Sequence, residues 1–497
     1  MVNLTSAILA RALREPDRLA LVYEDQRVSY ADLADRALRL AGQLRARGVA
    51  TGQVVAVVMK NSAAFCEVAF AVSHIGAVFL PINFRLARDE IAYILGNSGA
   101  VLLFADEEFA RTVDGLAPTV LVDDAAQRDT RGLSAGAEKA DAVPRQPQDL
   151  FRLMYTSGTT DRPKGAMHTY QNFYWKCWDH IADLPITADD RLLVVGPLYH
   201  VGAFDLPGMA LFLVGGSIVV HREFDALRAL AAIQDERVTC AWMAPVMMGR
   251  ILACETRGNY DVSSFRWCIG GGEKTPENRI RAFSELFRNG RYVDAYGLTE
   301  TCAADTMMEP GRELDKIGST GRALAHVEIR ICDEAGNELP VGADGEICLR
   351  GPKVTQGYWQ DEEKTRRSFF GDWFRTGDIG HVDEEGFLYL TDRMKDMIIT
   401  GGENVASSEV ERVVFMLPEV ADVAVIGRPD ERWGERPVAV VELAAGRTLD
   451  YETLAAHCRQ HLAGFKVPSE LLIRPALPRN PSGKVLKRVL RAELAGK

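Results

Sequence analysis

Short apolar runs alternate along the chain with longer stretches in which apolar residues recur every three or four positions. Val54–Met59 is a β-branched apolar run, Asn61 and Ser62 open an amphipathic stretch to about His74, and Ala77–Leu80 is apolar again. Strand, helix and strand in that order form the unit of a parallel sheet. The alternation returns at Leu192–Val195, at Ser217–Val220 followed by Phe224–Glu236, and at Thr239–Met243 followed by Pro245–Ala253. Asp123 to Asp149 is polar, rich in Ala and Asp and aperiodic, which predicts a surface loop region. No internal repeat interrupts the pattern.

Near residue 390 the character changes. Before it, "GYWQDEEKTRRSFFGDWFRTGD" and "GFLYLTDR" read as strands and turns. After it, Ser407 or Ser408 is expected to cap a helix to Leu417. Val420–Ile426 and Val438–Leu443 read as strands, and Tyr451–His461 as a helix. A tail of about 100 residues is the size of a small α+β domain. The predicted class is α/β. A large N-terminal body of mostly parallel sheets with helices plus a small β subdomain spans 1–391, a hinge lies at 392–396, and a small α+β C-terminal cap domain spans 397–497.

Composition narrows the class. The chain has 497 residues, 47% hydrophobic and 26% charged, enough for several domains. Its longest apolar stretch, Met209 to Val220, is broken by Gly215 and Gly216 and is too short to span a bilayer. Arg11, Arg14, Glu15 and Asp17 interrupt the apolar residues of the N-terminus, which does not read as a secretory signal. A soluble cytoplasmic protein with no membrane partner is expected. The nine cysteines form no CxxC pair and no zinc-like spacing, so reduced buried thiols are expected. A net charge of −11 without a basic stripe argues against a nucleic-acid partner.

The densest chemistry lies in "YTSGTTDRPKG", Tyr155 to Gly165. Glycines let backbone N–H groups converge on one anion, the hydroxyls of Thr156, Ser157, Thr159 and Thr160 add donors, and Lys164 adds charge. The stretch matches neither the Walker pattern nor GxGxxG. It resembles the phosphate loop of the adenylate-forming superfamily, which comprises acyl-CoA synthetases, luciferases and peptide-synthetase adenylation domains. "DAYGLTE" (Asp294–Glu300), "RTGD" (Arg375–Asp378), "DRMKDMIITGGEN" (Asp392–Asn404) and "PRNPSGK" (Pro478–Lys484) resemble further motifs of that family, in its order.

The resemblance implies a two-step reaction. A carboxylate attacks the α-phosphate of ATP to give an acyl-adenylate and pyrophosphate, and a thiol then displaces AMP. Charge builds in the first step, so the site must supply cations and donors there. Lys484 is implied to bridge the carboxylate and the α-phosphate. Glu300 with Thr159 would hold Mg²⁺, and Asp378 would accept the ribose hydroxyls with Arg393 nearby. Tyr296 would stack on adenine, with Gly272, Glu273 and Asp294 at its edge; Gly158, Gly297 and Thr299 belong to the same motifs. His200 matches a position beside the acyl pocket, which Phe204 and Ile269–Lys274 would line. Gly270 and Gly271 would leave room there for a bulky tail or a close backbone approach. Lys395 matches the hinge, and Gly401 and Gly402 a pantetheine tunnel, reached when the cap rotates between half-reactions.

Arg85, Trp433, Phe465 and Lys466 resemble the CoA-binding set of aryl-CoA ligases, so CoA is favoured over a carrier-protein thiol. The implied protein is an AMP-forming acyl-CoA ligase using ATP, Mg²⁺ and CoA on a small-molecule carboxylic acid, fatty or aromatic, and the resemblance leaves room for a homodimer. A carrier-loading enzyme, a luciferase-like oxygenase and a catalytically weak nucleotide-binding homologue are the alternatives. Lys484, Glu300 and Asp378 argue against the last. Asp161 departs from the glycine usual in the family, and a carboxylate there would repel a triphosphate. Fatty acids, hydroxycinnamate-like acids and small branched acids all stay open as substrates. The apolar surroundings of Trp242, Met243, Val246 and Met247 suggest an apolar tail.

Overall fold

Every residue of the helix Ala63–His74 is buried. A helix with no polar face belongs in an interior, and here that interior lies between two sheets. The computed structural model describes residues 3–122, 130–156, 163–271, 275, 277–393, 396–400, 403–430, 432–479 and 485–495. Within them, one sheet runs in the order Thr119–Val122, Leu102–Asp106, Val54–Val58, Val78–Pro81, Leu150–Thr156 and Lys164–Thr169. It is parallel except for its last strand. The larger sheet has a parallel centre in the order Leu19–Tyr23, Ser217–Val220, Arg191–Val194, Cys240–Trp242, Trp267–Gly271 and Arg291–Tyr296. Antiparallel strands flank it.

The facing sides of both sheets share one apolar core with the helices Tyr30–Ala46, Ala63–His74 and Tyr170–Asp183. The helices Ala226–Asp235, Pro245–Leu252 and Glu277–Leu286 cover the far side of the larger sheet. The helix Arg88–Ser98 covers the far side of the smaller one. The expected strand–helix–strand units are therefore present, and their starts have local causes. Ser62 Oγ accepts from the Phe65 N–H at 3.2 Å, Asp225 caps Ala226–Asp235, and Pro245 occupies a first-turn position where its missing N–H costs nothing.

One buried amide joins the two sheets. Asn61 Nδ2 donates to the carbonyls of Gly196 (2.7 Å) and His221 (3.1 Å), and Oδ1 accepts from the Leu198 N–H at 2.7 Å. Asn61 follows a strand of the smaller sheet, and its partners follow strands of the larger one. It thereby sets the segment that leads into Tyr199 and His200.

An antiparallel sheet of Glu328–Cys332, Gly345–Arg350, Phe369–Phe370, Trp373–Val382 and Leu388–Arg393 forms the expected β subdomain. Beyond it, Ile398–Thr400, Glu403–Val405, Val420–Asp430, Gly434–Leu443 and Glu470–Arg474 form a further sheet with its own core. The helix Tyr451–His461 lies where the pattern predicts it. No helix among the described residues is long and apolar enough to cross a membrane.

Two expectations need correction. The helix Ser407–Val414 has Ala406 at its cap position, and neither serine caps it from within. Instead Asp392 Oδ2 accepts from the Ser407 N–H and Oγ–H, both at 2.6 Å, so a carboxylate from the expected hinge supplies the missing acceptor at the helix start. The helix Ala63–His74, expected to be amphipathic, is instead buried on every side between the two sheets. In its described part the segment 123–149 is the mostly irregular, largely solvent-facing stretch expected, and it is anchored at two points. The N–H and Oγ of the buried Thr130 donate to the buried Glu67, and the Ala140 N–H donates to the Leu38 carbonyl.

Replacing Asn61 with alanine leaves a buried N–H and two carbonyls unpaired, which costs about 2–4 kcal/mol. We expect thermal unfolding to shift down by several degrees. An unchanged midpoint would show that the amide does not join the sheets.

Candidate active site

The strand Leu150–Thr156 would be apolar from Leu150 to Met154 but for Arg152, and Arg152 is fully buried. An unpaired charge is not tolerated at such a position. The guanidinium pairs with Asp205, and its Nε donates to His168 Nδ1 at 2.9 Å. Lys176, also fully buried, lies 3.2 Å from Asp205 Oδ1. Burial pushes the Asp205 carboxyl up, but the two cations more than offset that and hold it below its ordinary value. With Nδ1 accepting, His168 carries its proton on Nε2 and donates it to the Thr299 carbonyl at 2.6 Å. Burial and the Arg152 charge hold His168 down to about 3, so the ring is neutral.

This cluster ties three segments together. Strands Leu150–Thr156 and Lys164–Thr169 pair with Thr156 opposite Lys164, at the mouth of the expected phosphate loop. Ser157, Gly158, Thr159 and Thr160 of that loop, with Asp161, lie outside the described residues. Asp205 ends the short helix Val201–Asp205 that follows His200. Thr299 begins the single 3₁₀ turn Thr299–Thr301 that carries Glu300.

The Glu300 turn is held from several directions. Oε1 of Glu300 accepts from the Tyr358 hydroxyl at 2.9 Å, and its carbonyl accepts from the Thr355 N–H at 2.7 Å. The next residues are unusual: Cys302, Ala303 and Ala304 have φ of 57°, 65° and 45°. Three consecutive left-handed residues with side chains each cost on the order of 1 kcal/mol, so the surroundings must impose them. The fully buried Lys353 does so. Its Nζ donates to the carbonyls of Ala303 (2.9 Å) and Ala304 and lies 3.0 Å from Asp305 Oδ1. Gly297 is required on the other side, because a Cβ there would lie 2.3 Å from the Ala304 nitrogen.

The residues expected at the nucleotide meet in part. The Tyr296 hydroxyl donates to Asp378 Oδ2 at 2.9 Å, joining the "DAYGLTE" and "RTGD" segments. Asp294 is buried on the same strand as Tyr296. Arg393 lies opposite Asp378 in backbone register. Gly272, Glu273, Lys395, Gly401, Gly402 and Lys484 lie outside the described residues.

His200 caps the helix Val201–Asp205, with Nδ1 accepting from the Gly202 N–H at 3.0 Å. Its proton is therefore on Nε2. Burial holds the ring down to about 4. The Trp242 ring lies 27° from parallel to it, at 6.2 Å between centroids. Trp242 fills space that two glycines leave open: a Cβ on Gly196 or Gly202 would come within 2.3 or 2.5 Å of the indole. Its Nε1 and the buried Tyr199 hydroxyl have no hydrogen-bond partner among the described residues. Met243 points to the opposite face of the strand, into the core beneath Ala226–Asp235, so only part of the expected apolar neighbourhood faces His200. The Tyr292 hydroxyl lies where a Cβ of Gly270 would be, at 1.8 Å, and the Ala295 carbonyl lies 3.0 Å from a Cβ on Gly271. The expected close backbone approach therefore holds at Gly271, whereas at Gly270 a side chain takes the space, so that side is not open to a tail. Phe204 packs in the core against Phe79, Phe173 and Arg152.

The expected CoA set divides between elements. Arg85 is exposed over the Phe84 ring at 5.3 Å, and Phe84 meets Tyr199 edge-on at 5.5 Å, so this arginine stands near the His200 segment. Trp433 and Phe465 are exposed on the C-terminal domain, and Lys466 pairs with Glu409 at 2.7 Å.

Arg152, His168, Asp205, Lys176, Lys353, Asp305 and Tyr358 were not expected at the site. A lone arginine in "LFRLMY" and a lone lysine in "FYWKCW" are the clues that point to them, since a charge inside an apolar element must have a partner. Among the described residues no three metal-ligating side chains cluster. A single carboxylate such as Glu300 still suits Mg²⁺, which keeps waters and takes most of its remaining ligands from phosphates.

His74, His168, His180, His200 and His221 are all held below the ordinary histidine range, chiefly by burial. The unfolded chain then binds protons that the folded chain refuses, so stability is complete above about pH 6.5 and falls as pH drops towards about 4. We expect the thermal midpoint to fall across that window and a His200→Asn variant to fall less steeply. A midpoint constant from pH 7 to 5 would contradict the neutral rings.

Residues 9–359 match the AMP-binding enzyme family, and residues 409–484 match the AMP-binding enzyme C-terminal domain. The chain is 38% identical to feruloyl-CoA synthase of Amycolatopsis sp over 97% of both chains. It is also 38% identical to indoleacetate–CoA ligase of Aromatoleum aromaticum, over 97% of this chain and 96% of that one. The o-succinylbenzoate-CoA synthetase of Bacillus subtilis, solved with ATP and magnesium ion, superposes with a TM-score of 0.87 at 32% identity, covering 98% of this chain and 99% of that one. With the two-sheet body, the Glu300 turn and the Tyr296–Asp378 bond in place, these matches establish that the chain belongs to the AMP-binding enzyme family, as an AMP-forming acyl-CoA ligase that uses ATP, Mg²⁺ and CoA.

Proposed function

We propose that the acid is aromatic and carries an oxygen substituent. One observation carries this reading: the near-parallel His200 and Trp242 rings, with glycines at 196 and 202, make a flat-walled site closed by an indole. The unpartnered N–H of Trp242, and the unpartnered hydroxyl of Tyr199, the residue before His200, suit a hydroxyl, methoxyl or carbonyl oxygen on the substrate ring. The relatives named for ferulate and indoleacetate support an aryl acid.

In the reaction we propose, Thr156, Ser157, Gly158, Thr159, Thr160 and Lys164 cradle the phosphates. Tyr296 flanks the adenine and Asp378 accepts the ribose hydroxyls. Glu300 and Thr159 hold Mg²⁺, which supplies charge neutralisation at the phosphates. Lys484 brings an ammonium to the carboxylate and α-phosphate as the mixed anhydride forms. His200, neutral, keeps its Nε2–H for the substrate. The CoA thiol then attacks the acyl carbon and AMP leaves. Arg85, Trp433, Phe465 and Lys466 bind CoA, and Gly401 and Gly402 line its approach once the chain has turned at Lys395. Nine free thiols, buried except for Cys254, support a reducing cytoplasmic setting.

Acid-dependent AMP release should be measured with hydroxycinnamates, unsubstituted cinnamate, arylacetates and C8–C16 fatty acids. We expect hydroxycinnamates to exceed both cinnamate and the fatty acids by at least tenfold in kcat/KM. A Trp242→Ala enzyme should gain on the fatty acids and lose that preference. A wild-type preference for long fatty acids would overturn the reading. In a separate measurement, Lys484→Ala should slow pyrophosphate release by about 10²-fold or more. An undiminished rate would remove the lysine from the first step.

A further inference from the structure

Glu300 sits on a turn too short to hold itself in place. The 3₁₀ segment has three residues, and the chain leaves it through Cys302, Ala303 and Ala304, all left-handed. None of these is a glycine, and none has the short polar side chain that eases such a backbone. The strain lies two to four residues beyond the carboxylate proposed to hold magnesium. Strain of this kind persists only where the surroundings over-determine it, and it gathers at functional sites.

Lys353 is the over-determining group. Its side chain is fully buried, as is that of Asp305. The ammonium reaches two successive carbonyls of the left-handed turn and the Asp305 carboxylate, and Asp305 Oδ2 in turn accepts from the Thr301 hydroxyl at 2.5 Å. The lysine thus closes a ring of contacts that begins and ends next to Glu300. Its own segment supplies the other holds, because Thr355 binds the Glu300 carbonyl and Tyr358 binds the Glu300 carboxylate. A buried lysine costs free energy wherever it stands. A core that needed only packing would use an apolar residue there.

We propose that Lys353 is a positioning residue for Glu300. By pinning the left-handed turn at 302–304, it sets the carboxylate at the place from which magnesium on the bound triphosphate is held. The inference rests on the reading of Glu300 as the magnesium-bearing carboxylate.

The test is calorimetric binding of a non-hydrolysable ATP analogue with and without MgCl₂, on the full chain. It is applied to the wild type, Glu300→Gln, Lys353→Met, and the double variant Lys353→Met/Asp305→Asn, which leaves no unpaired buried carboxylate. Thermal melts identify the folded variants, and if the single variant is unfolded the double variant decides. We expect magnesium to tighten binding to the wild type at least tenfold. Glu300→Gln and the Lys353 variants should lose most of that gain, and for the Lys353 variants the magnesium-free affinity should stay within about twofold of wild type. A purely structural lysine would lower the melting temperature and leave the magnesium gain intact, which would overturn the proposal. If Glu300→Gln itself keeps the gain, the reading of Glu300 fails and the proposal falls with it.

Discussion

The ion pair between Arg152 and Asp205 is the constraint on which the site rests. Both side chains are wholly out of water, with Lys176 and His168 completing the group. Two buried cations around one carboxylate need acceptors for their remaining donors, and although Arg152 Nη1 finds none among the described residues, that need reaches outward. Through His168 it fixes the Thr299 carbonyl, through Asp205 the end of the helix behind His200, and through Arg152 itself the strand that leads to the proposed phosphate loop. Segments far apart in sequence are thus held at fixed mutual positions by charge, which is more directional than apolar packing.

A second buried pair, Lys353 with Asp305, acts on the neighbouring turn by the same means. Around both pairs, the sheets supply a rigid frame, and Asn61 joins them just ahead of His200. Among the described residues, the segments around His200 and Glu300 are therefore short turns held by polar anchors inside the core.

Much of the frame was legible in the sequence, because period and turn chemistry are local. Pro245 at a helix start and Ser62 as a cap follow from residues within a few positions of each other. The helix Ala63–His74 reads as amphipathic, and its burial on every side comes from the two sheets that enclose it, which no local pattern shows. The site motifs were legible as segments too, and Tyr296 and Asp378 do meet. What could not be read is how long-range contacts use side chains. The cap on Ser407–Val414 comes from Asp392, a residue outside the helix. Gly270 reads as open space until Tyr292, from the neighbouring strand, occupies it. Lys353 and Tyr358 look like ordinary members of "PKVTQGY", and only their approach to residues some fifty positions earlier gives them a role.

The interlock of Trp242 with Gly196 and Gly202 carries an evolutionary consequence. Alanine at either glycine would collide with the indole, so those positions are closed to enlargement while the tryptophan is present. Substitution of the tryptophan by something smaller meets no such barrier. Change at this wall is therefore epistatic and ordered. A lineage that enlarges either glycine must shrink the indole first, and once methyl groups have settled at 196 and 202 the way back is shut.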